Sequence, residues 1–263
     1  MYFSITSDTA LLTRAIDDFN PAYHRDYFVV RDAAIAYLSE LPSMDSAHRL
    51  APPVLQALWN WGAGERRAPS CHTAQVVAEA LRDPTLHDRL TRLANSFEYL
   101  ALTDGARALL PGAPFETVVA FDSCLIQTLN DLANALLVNN TNVTYPMKAL
   151  LLITGLMPAY DGQVRKGLAV AGVSGVKKTR YPLPNRDSSD AKKICALPFY
   201  IADCASRASA PLAQAIANSR YPALNGHHGR LFDVLFFVQA DFTSRAALVT
   251  FSTLHAGRRW YAV

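Results

Sequence analysis

Lys148 and Asp161 are the two residues of this chain whose types and spacing best suit covalent chemistry. Lys148 leads an apolar run, Ala149-Leu150-Leu151-Leu152-Ile153, and a break at Gly155 and Pro158 ends that run before Asp161 opens the next helix. An amine at the rim of a core loses hydration of its charged form, so its pKa falls and the nucleophilic form becomes available. A carboxylate folded back beside it can orient an electrophilic sugar, stabilise positive charge or carry a proton. Plain architecture fits the same residues, with Lys148 snorkelling from an amphipathic helix and Asp161 capping the next one.

A second constellation is His227-His228 with Arg230 and Asp233. On a helix, His227, Arg230 and Asp233 follow one another at three-residue intervals and share a face, which makes them candidate pocket or partner contacts. Leu231, Val234, Leu235 and Val238 would form the packing side. An Arg230–Asp233 ion pair of this spacing is commonly structural.

Charge is divided along the chain. Residues 1–160 hold 11 Lys/Arg against 16 Asp/Glu, whereas residues 161–263 hold 14 Lys/Arg against 6 Asp and no Glu. The densest stretch contains Arg165, Lys166, Lys177, Lys178, Arg180, Lys192 and Lys193, our candidate nucleic-acid contacts. Folded onto one face, such residues attract a polyanion; spread over a solvated loop, they do not. Gly172-Val173-Ser174-Gly175 within this stretch permits a tight turn with exposed amides near Lys177 and Lys178.

Residues 148–164, with Lys-Ala-Leu-Leu followed by Pro-Ala-Tyr-Asp-Gly-Gln-Val, resemble the helix–turn–helix end of the 8-oxoguanine DNA glycosylase-like, helix-hairpin-helix superfamily. That resemblance implies a largely helical fold and cleavage of a damaged base's glycosidic bond. It makes Lys148 the nucleophile that forms a Schiff base with the sugar and Asp161 the assisting carboxylate. Gly162-Gln163 stands where the family has Ser-Arg, and the glycine turn at 172–175 follows the aspartate where the family's DNA-contacting hairpin precedes it.

The elements that must position these groups read as helices. Apolar spacing predicts them over 8–19, 29–41, 73–81, 86–102, 116–137, 189–206, 211–219 and 227–240. Pro52 and Pro53 suit the first turn of another, whose apolar side carries Val54, Leu55, Leu58 and Trp59. Arg82-Asp83-Pro84-Thr85 reads as a corner, and Asn139-Asn140-Thr141-Asn142 as a break. Thr144 is expected to cap the helix of Lys148, and Asp161 the one after it. Strand composition appears at 246–251 and 259–263, which would form a hairpin.

The expected fold is mainly α, a helical bundle-like domain with a small C-terminal β-hairpin. The division is an N-terminal lobe over 1–110 and a C-terminal lobe over 111–263, or one continuous domain. The expected function is nucleic-acid binding, with DNA or another polyanion as partner and DNA-repair chemistry of the glycosylase/lyase type. The alternative is a non-enzymatic interaction module whose basic surface meets an acidic protein. No metal-ligand spacing and no cofactor fingerprint is found, so none is expected. The apolar runs are too short for a membrane span, and no secretory signal is evident. Cys71, Cys124, Cys195 and Cys204 are read as free, mostly buried thiols, and a cytoplasmic location is expected.

Overall fold

The computed structural model of the chain describes residues 1–65, 68–181, 183, 187–241, 247–252, 260 and 261. Short polar side chains start most of its helices. After β1 (Tyr2–Ile5), Asp8 accepts the Leu11 amide to begin α1 (Thr9–Asp18). Asn20 caps α2 (Pro21–Ser39), with Pro21 in the first turn, where its missing N–H has no cost. This start lies eight residues before the one expected from apolar spacing, because the cap and proline carry the signal there. A reciprocal Ser43–Ser46 capping box opens α3 (Met44–Asn60).

Pro52 and Pro53 therefore lie inside α3, against the expectation of a first turn. Two N–H groups are absent from the helix there. The helix continues because Ala47, Leu50, Ala51, Val54, Ala57 and Leu58 are all buried on one side. Trp59 departs from that side. It is 61% exposed, and its ring lies so close over Gly64 that a Cβ there would stand 2.6 Å away.

β2 (Ser70–Cys71) leads to α4 (Ala74–Leu81), capped by Thr73, and α5 (Pro84–Ala94), capped by Asp83 at the expected corner. The helix expected to run to residue 102 stops at Ala94. A 3-10 turn, Phe97–Tyr99, then enters a hairpin of β3 (Leu100–Thr103) and β4 (Ala106–Leu109). Asp104 and Gly105 both take positive φ, 53° and 78°, as a tight two-residue hairpin loop requires.

The remaining elements are α6 (Val118–Leu136), β5 (Leu137–Val138), α7 (Thr144–Thr154), α8 (Gly162–Val170), α9 (Ser189–Arg207), α10 (Ser209–Ala217), α11 (His228–Gln239) and β6 (Val249–Ser252). Thr144 is the first residue of α7 rather than its cap. Its amide is held by the Asn142 side chain at 3.1 Å.

The protein is thus a mainly helical domain with small β elements. The strand expected at 246–251 forms as β6, but its antiparallel partner is β1, with Phe3 opposite Phe251. Of the run 259–263, only Trp260 and Tyr261 are described, as a turn; residues 259, 262 and 263, and Ala246, lie outside the described residues. Buried residues from both expected lobes, including Leu50, Leu90, Leu150 and Leu235, belong to one contiguous apolar cluster. Among the described residues no helix is long and apolar enough to cross a membrane. All four cysteines are free, and Cys124, Cys195 and Cys204 are buried.

Candidate active site

α7 is buried from Pro146 to its last residue, Thr154, so a lysine within that stretch must find partners inside the protein. Lys148 is 8% exposed. Its ammonium donates to the carbonyl of Trp61 at 2.6 Å and lies 4.9 Å from the centre of the Tyr145 ring. Trp61 is the C-cap of α3, so the cation meets the carbonyl end of a helix, where the macrodipole favours it. Tyr145 ties the two segments further by donating its hydroxyl to the Gly62 carbonyl at 2.6 Å.

α7 ends at Gly155, which takes a left-handed conformation (φ 70°). The Arg31 guanidinium donates to the Ile153 carbonyl there and satisfies part of the helix end. The chain then turns back, with Tyr160 also at positive φ (45°), a conformation unusual for a non-glycine residue. This turn delivers Asp161 to the amino end of α8. Its Oδ1 accepts the Val164 amide at 3.0 Å, the expected cap, while Oδ2 stands 3.9 Å from Lys148 Nζ.

A second ion pair holds the turn from below. Arg230 is 1% exposed, and its Nη1 donates to Asp233 Oδ2 at 2.6 Å. Its Nη2 donates to the Tyr23 carbonyl at 2.9 Å. The guanidinium lies over the rings of Phe19, Tyr27 and Trp61 at 4.8, 5.3 and 5.2 Å, a cage that replaces water with aromatic faces. Asp233 Oδ1 accepts the Ala159 amide at 2.9 Å. Two glycines allow α11 to come this near. A Cβ on Gly229 would stand 2.1 Å from the Gly155 carbonyl oxygen, and one on Gly167 1.8 Å from the Phe236 carbonyl oxygen.

Lys148, Asp161, Arg230 and Asp233 line one cleft of about 70 Å³, walled by Phe19, Tyr23, Trp61 and Phe237. Burial pushes the Lys148 pKa below its usual 10.5, and Asp161, Asp233 and Glu65 pull the other way. Burial likewise raises Asp233 and lowers Arg230, each opposed by the other's charge. Their close, hydrogen-bonded contact opposes both shifts. A buried ammonium thus stands 3.9 Å from a carboxylate whose charge opposes the fall in its pKa.

The other expected residues lie elsewhere. His227 is outside this cleft; its Nδ1 is 3.0 Å from the Tyr27 hydroxyl, and burial lowers its pKa. Arg165 sits one helical turn from Asp161 and donates to its carbonyl at 3.2 Å. Lys166, Lys177, Lys178 and Arg180 are exposed, and Lys192 is half-buried. Lys178 and Arg180 share a shallow cleft of about 350 Å³ with Ser188, Ser189 and Asp190 at the start of α9. Lys193 departs from the expected phosphate-facing set. It is 8% exposed, with its ammonium 3.4 Å from Asp190 and 5.0 Å from the Tyr261 ring centre.

The aromatic walls were not evident from spacing. Phe19, Tyr23 and Trp61 come from α1's end, α2 and the end of α3, and each resembles ordinary core in its own segment. Only the Trp61-Gly62 pair, where α3 breaks beside an aromatic residue, hints at a surface turned inward. Compared with known proteins, the chain matches no family model, no curated protein and no solved structure.

Proposed function

We propose that the chain is a nucleic-acid-binding enzyme with glycosylase/lyase-like chemistry, in which Lys148 is the amine nucleophile and Asp161 its proton partner. The observation that carries this reading is the 3.9 Å approach of Lys148 Nζ to Asp161 Oδ2 within a shared cleft. Asp161 takes the ammonium proton, and the freed amine attacks the aldehyde carbon of an opened deoxyribose. A C–N bond forms, the carbonyl oxygen leaves as water, and an imine joins protein to sugar. A cleft of about 70 Å³, well below the roughly 300 Å³ at which small-molecule sites begin, suits the aldehyde end of a sugar better than a whole base. The exposed cations Lys166, Lys177, Lys178 and Arg180 supply contacts for the phosphate backbone.

Borohydride trapping on a duplex containing an abasic site tests this directly. The expected result is a covalent adduct with the wild-type chain that is lost in Lys148→Met, with circular dichroism showing the fold retained. Asp161→Asn should slow trapping by roughly 10²-fold or more. No wild-type adduct, or an unchanged adduct in the lysine variant, rejects the assignment.

The same exposed cations favour one other reading, a non-enzymatic module that docks an acidic protein. Salt-sensitive capture of an acidic partner, with no retention on DNA at low salt, would select it.

A further inference from the structure

A larger cavity, of about 300 Å³, lies on another part of the molecule, between the β3–β4 hairpin and α9. It exists because α9 turns small residues toward the hairpin. Ala202, Ala205 and Ser206 recur at helical spacing, Ser209 at the start of α10 continues the small wall, and Leu100 and Leu110 across the gap are too short to fill it. Its volume falls at the lower end of small-molecule sites, and its walls are mostly apolar.

The charged side chains that line it are both acidic. The lining contains two carboxylates, Glu98 and Asp203, and no lysine or arginine. Arg207 neutralises Asp203, with Nε and Nη2 donating to Oδ2 at 3.0 and 2.7 Å. Arg207 Nη2 also donates to the Phe3 carbonyl at 2.7 Å, which anchors it toward β1. Glu98, exposed at the rim, forms no ion pair among the described residues. His228 stacks on Phe97, with centroids 5.1 Å apart and planes 18° apart. Its Nδ1 is buried without a hydrogen-bond partner among the described residues. Burial lowers its pKa, which disfavours the imidazolium, and the Glu98 charge opposes that fall.

We propose that this cavity binds a small organic monocation with an apolar body, of the arylalkylamine class, with its ammonium on Glu98 and its ring between α9 and the hairpin. The apolar walls take the ring, and the uncompensated carboxylate selects the positive charge. A phosphate or carboxylate ligand would meet the Glu98 carboxylate, and the nearby Arg207 is already paired with Asp203. The site is separate from Lys148 and does not depend on the reaction assigned to that residue.

Calorimetric titration of the full chain with phenethylamine, 2-phenylethanol and phenylacetate tests it. Phenethylamine should bind with a Kd of about 1 mM or tighter, within the limit for a ligand of its size. 2-Phenylethanol should bind at least roughly tenfold more weakly, and phenylacetate should not bind. Glu98→Gln should weaken phenethylamine by roughly tenfold or more. Ser206→Trp, at an exposed helical position, should fill the cavity and abolish binding while the fold is kept. No binding of phenethylamine, equal binding of the three probes, or binding that survives both substitutions would overturn the proposal.

Discussion

Asp233 reaches from α11 to accept the backbone amide of Ala159 at 2.9 Å, two residues before Asp161. One carboxylate thereby restrains the turn that carries the other. Asp233 and Arg230 act as a strut beneath the Lys148–Asp161 pair, and their burial makes the strut unforgiving. Asp233→Asn leaves the Arg230 cation without its counter-charge, and breaking a buried pair costs about 3–5 kcal/mol. Urea unfolding should show that loss. The double replacement Arg230→Met/Asp233→Leu should recover much of the stability but leave the Ala159 amide unheld. Abasic-site trapping should then stay low in a well-folded protein.

Two glycines on α8 should respond oppositely to the same change. Gly167→Ala places a Cβ 1.8 Å from the Phe236 carbonyl oxygen and must push α8 from α11, at about 3 kcal/mol or more. Gly162→Ala meets nothing nearer than Arg165 at 4.0 Å and should be neutral or stabilising by a few tenths of a kcal/mol. Melting temperatures of the two variants check this contrast.

Lys148 predicts a particular direction of pH dependence. Its folded pKa is below the ordinary 10.5, so between the two values the unfolded chain binds more protons. The destabilisation is fully present below the folded pKa and is relieved as pH rises toward 10.5. Stability of the wild type measured against Lys148→Met should therefore rise with pH on the alkaline side. A difference that stays flat or falls would show that the ammonium is not held at a disadvantage.

His24 predicts a change at the acid end. It is fully buried, its ring tilted against Tyr221 with centres 4.1 Å apart, and burial together with the Arg230 charge pushes its pKa down to about 4. Its contribution is complete above 6.5 and is lost as pH falls from 6.5 to about 4. The total is about 3 kcal/mol. His24→Phe should remove that part of the acid dependence in denaturation curves collected between pH 7 and pH 4.

For nucleic-acid binding, the exposed Lys177 and Lys178 predict a salt effect. If both contact duplex phosphates, replacing them with Ala should reduce the slope of log K against log salt by about 1.8. Fluorescence anisotropy across salt concentrations measures it, and an unchanged slope removes both residues from the footprint.

Much of the helical scaffold is legible in the sequence because caps and apolar periodicity agree. Asp8, Thr73, Asp83 and Asp161 each occupy the capping position that their side chains suit. Lys148 and Asp161 are also legible as a pair, since a helix and a Gly/Pro turn bring them back together. The misread places are those where two local signals compete. Leu100 and Leu102 continue a helical apolar pattern, yet the Asp104-Gly105 turn makes them strand. Pro52 and Pro53 read as a helix start, yet the Ser43 capping box has already begun the helix. The cleft's aromatic wall and the destination of Arg230 depend on how distant helices cross. Gly167 and Gly229 govern that crossing, and nothing in the adjacent sequence marks either as an interhelical contact.

The pairing of β1 with β6 also has a kinetic meaning. Tyr2–Ile5 meets Val249–Ser252, so among the described strand pairs this one closes the longest loop. Such closure gains nothing until the helices between have shortened the distance. During synthesis β1 emerges long before β6 and must wait for it, while local units such as α3 with α4 assemble without that pairing. Its ladder should be the last to gain amide protection on refolding, well after the amides of α7. The cleft at Lys148, built from α1, α2, α3, α7, α8 and α11, can thus be in place before the sheet that ties the two ends together.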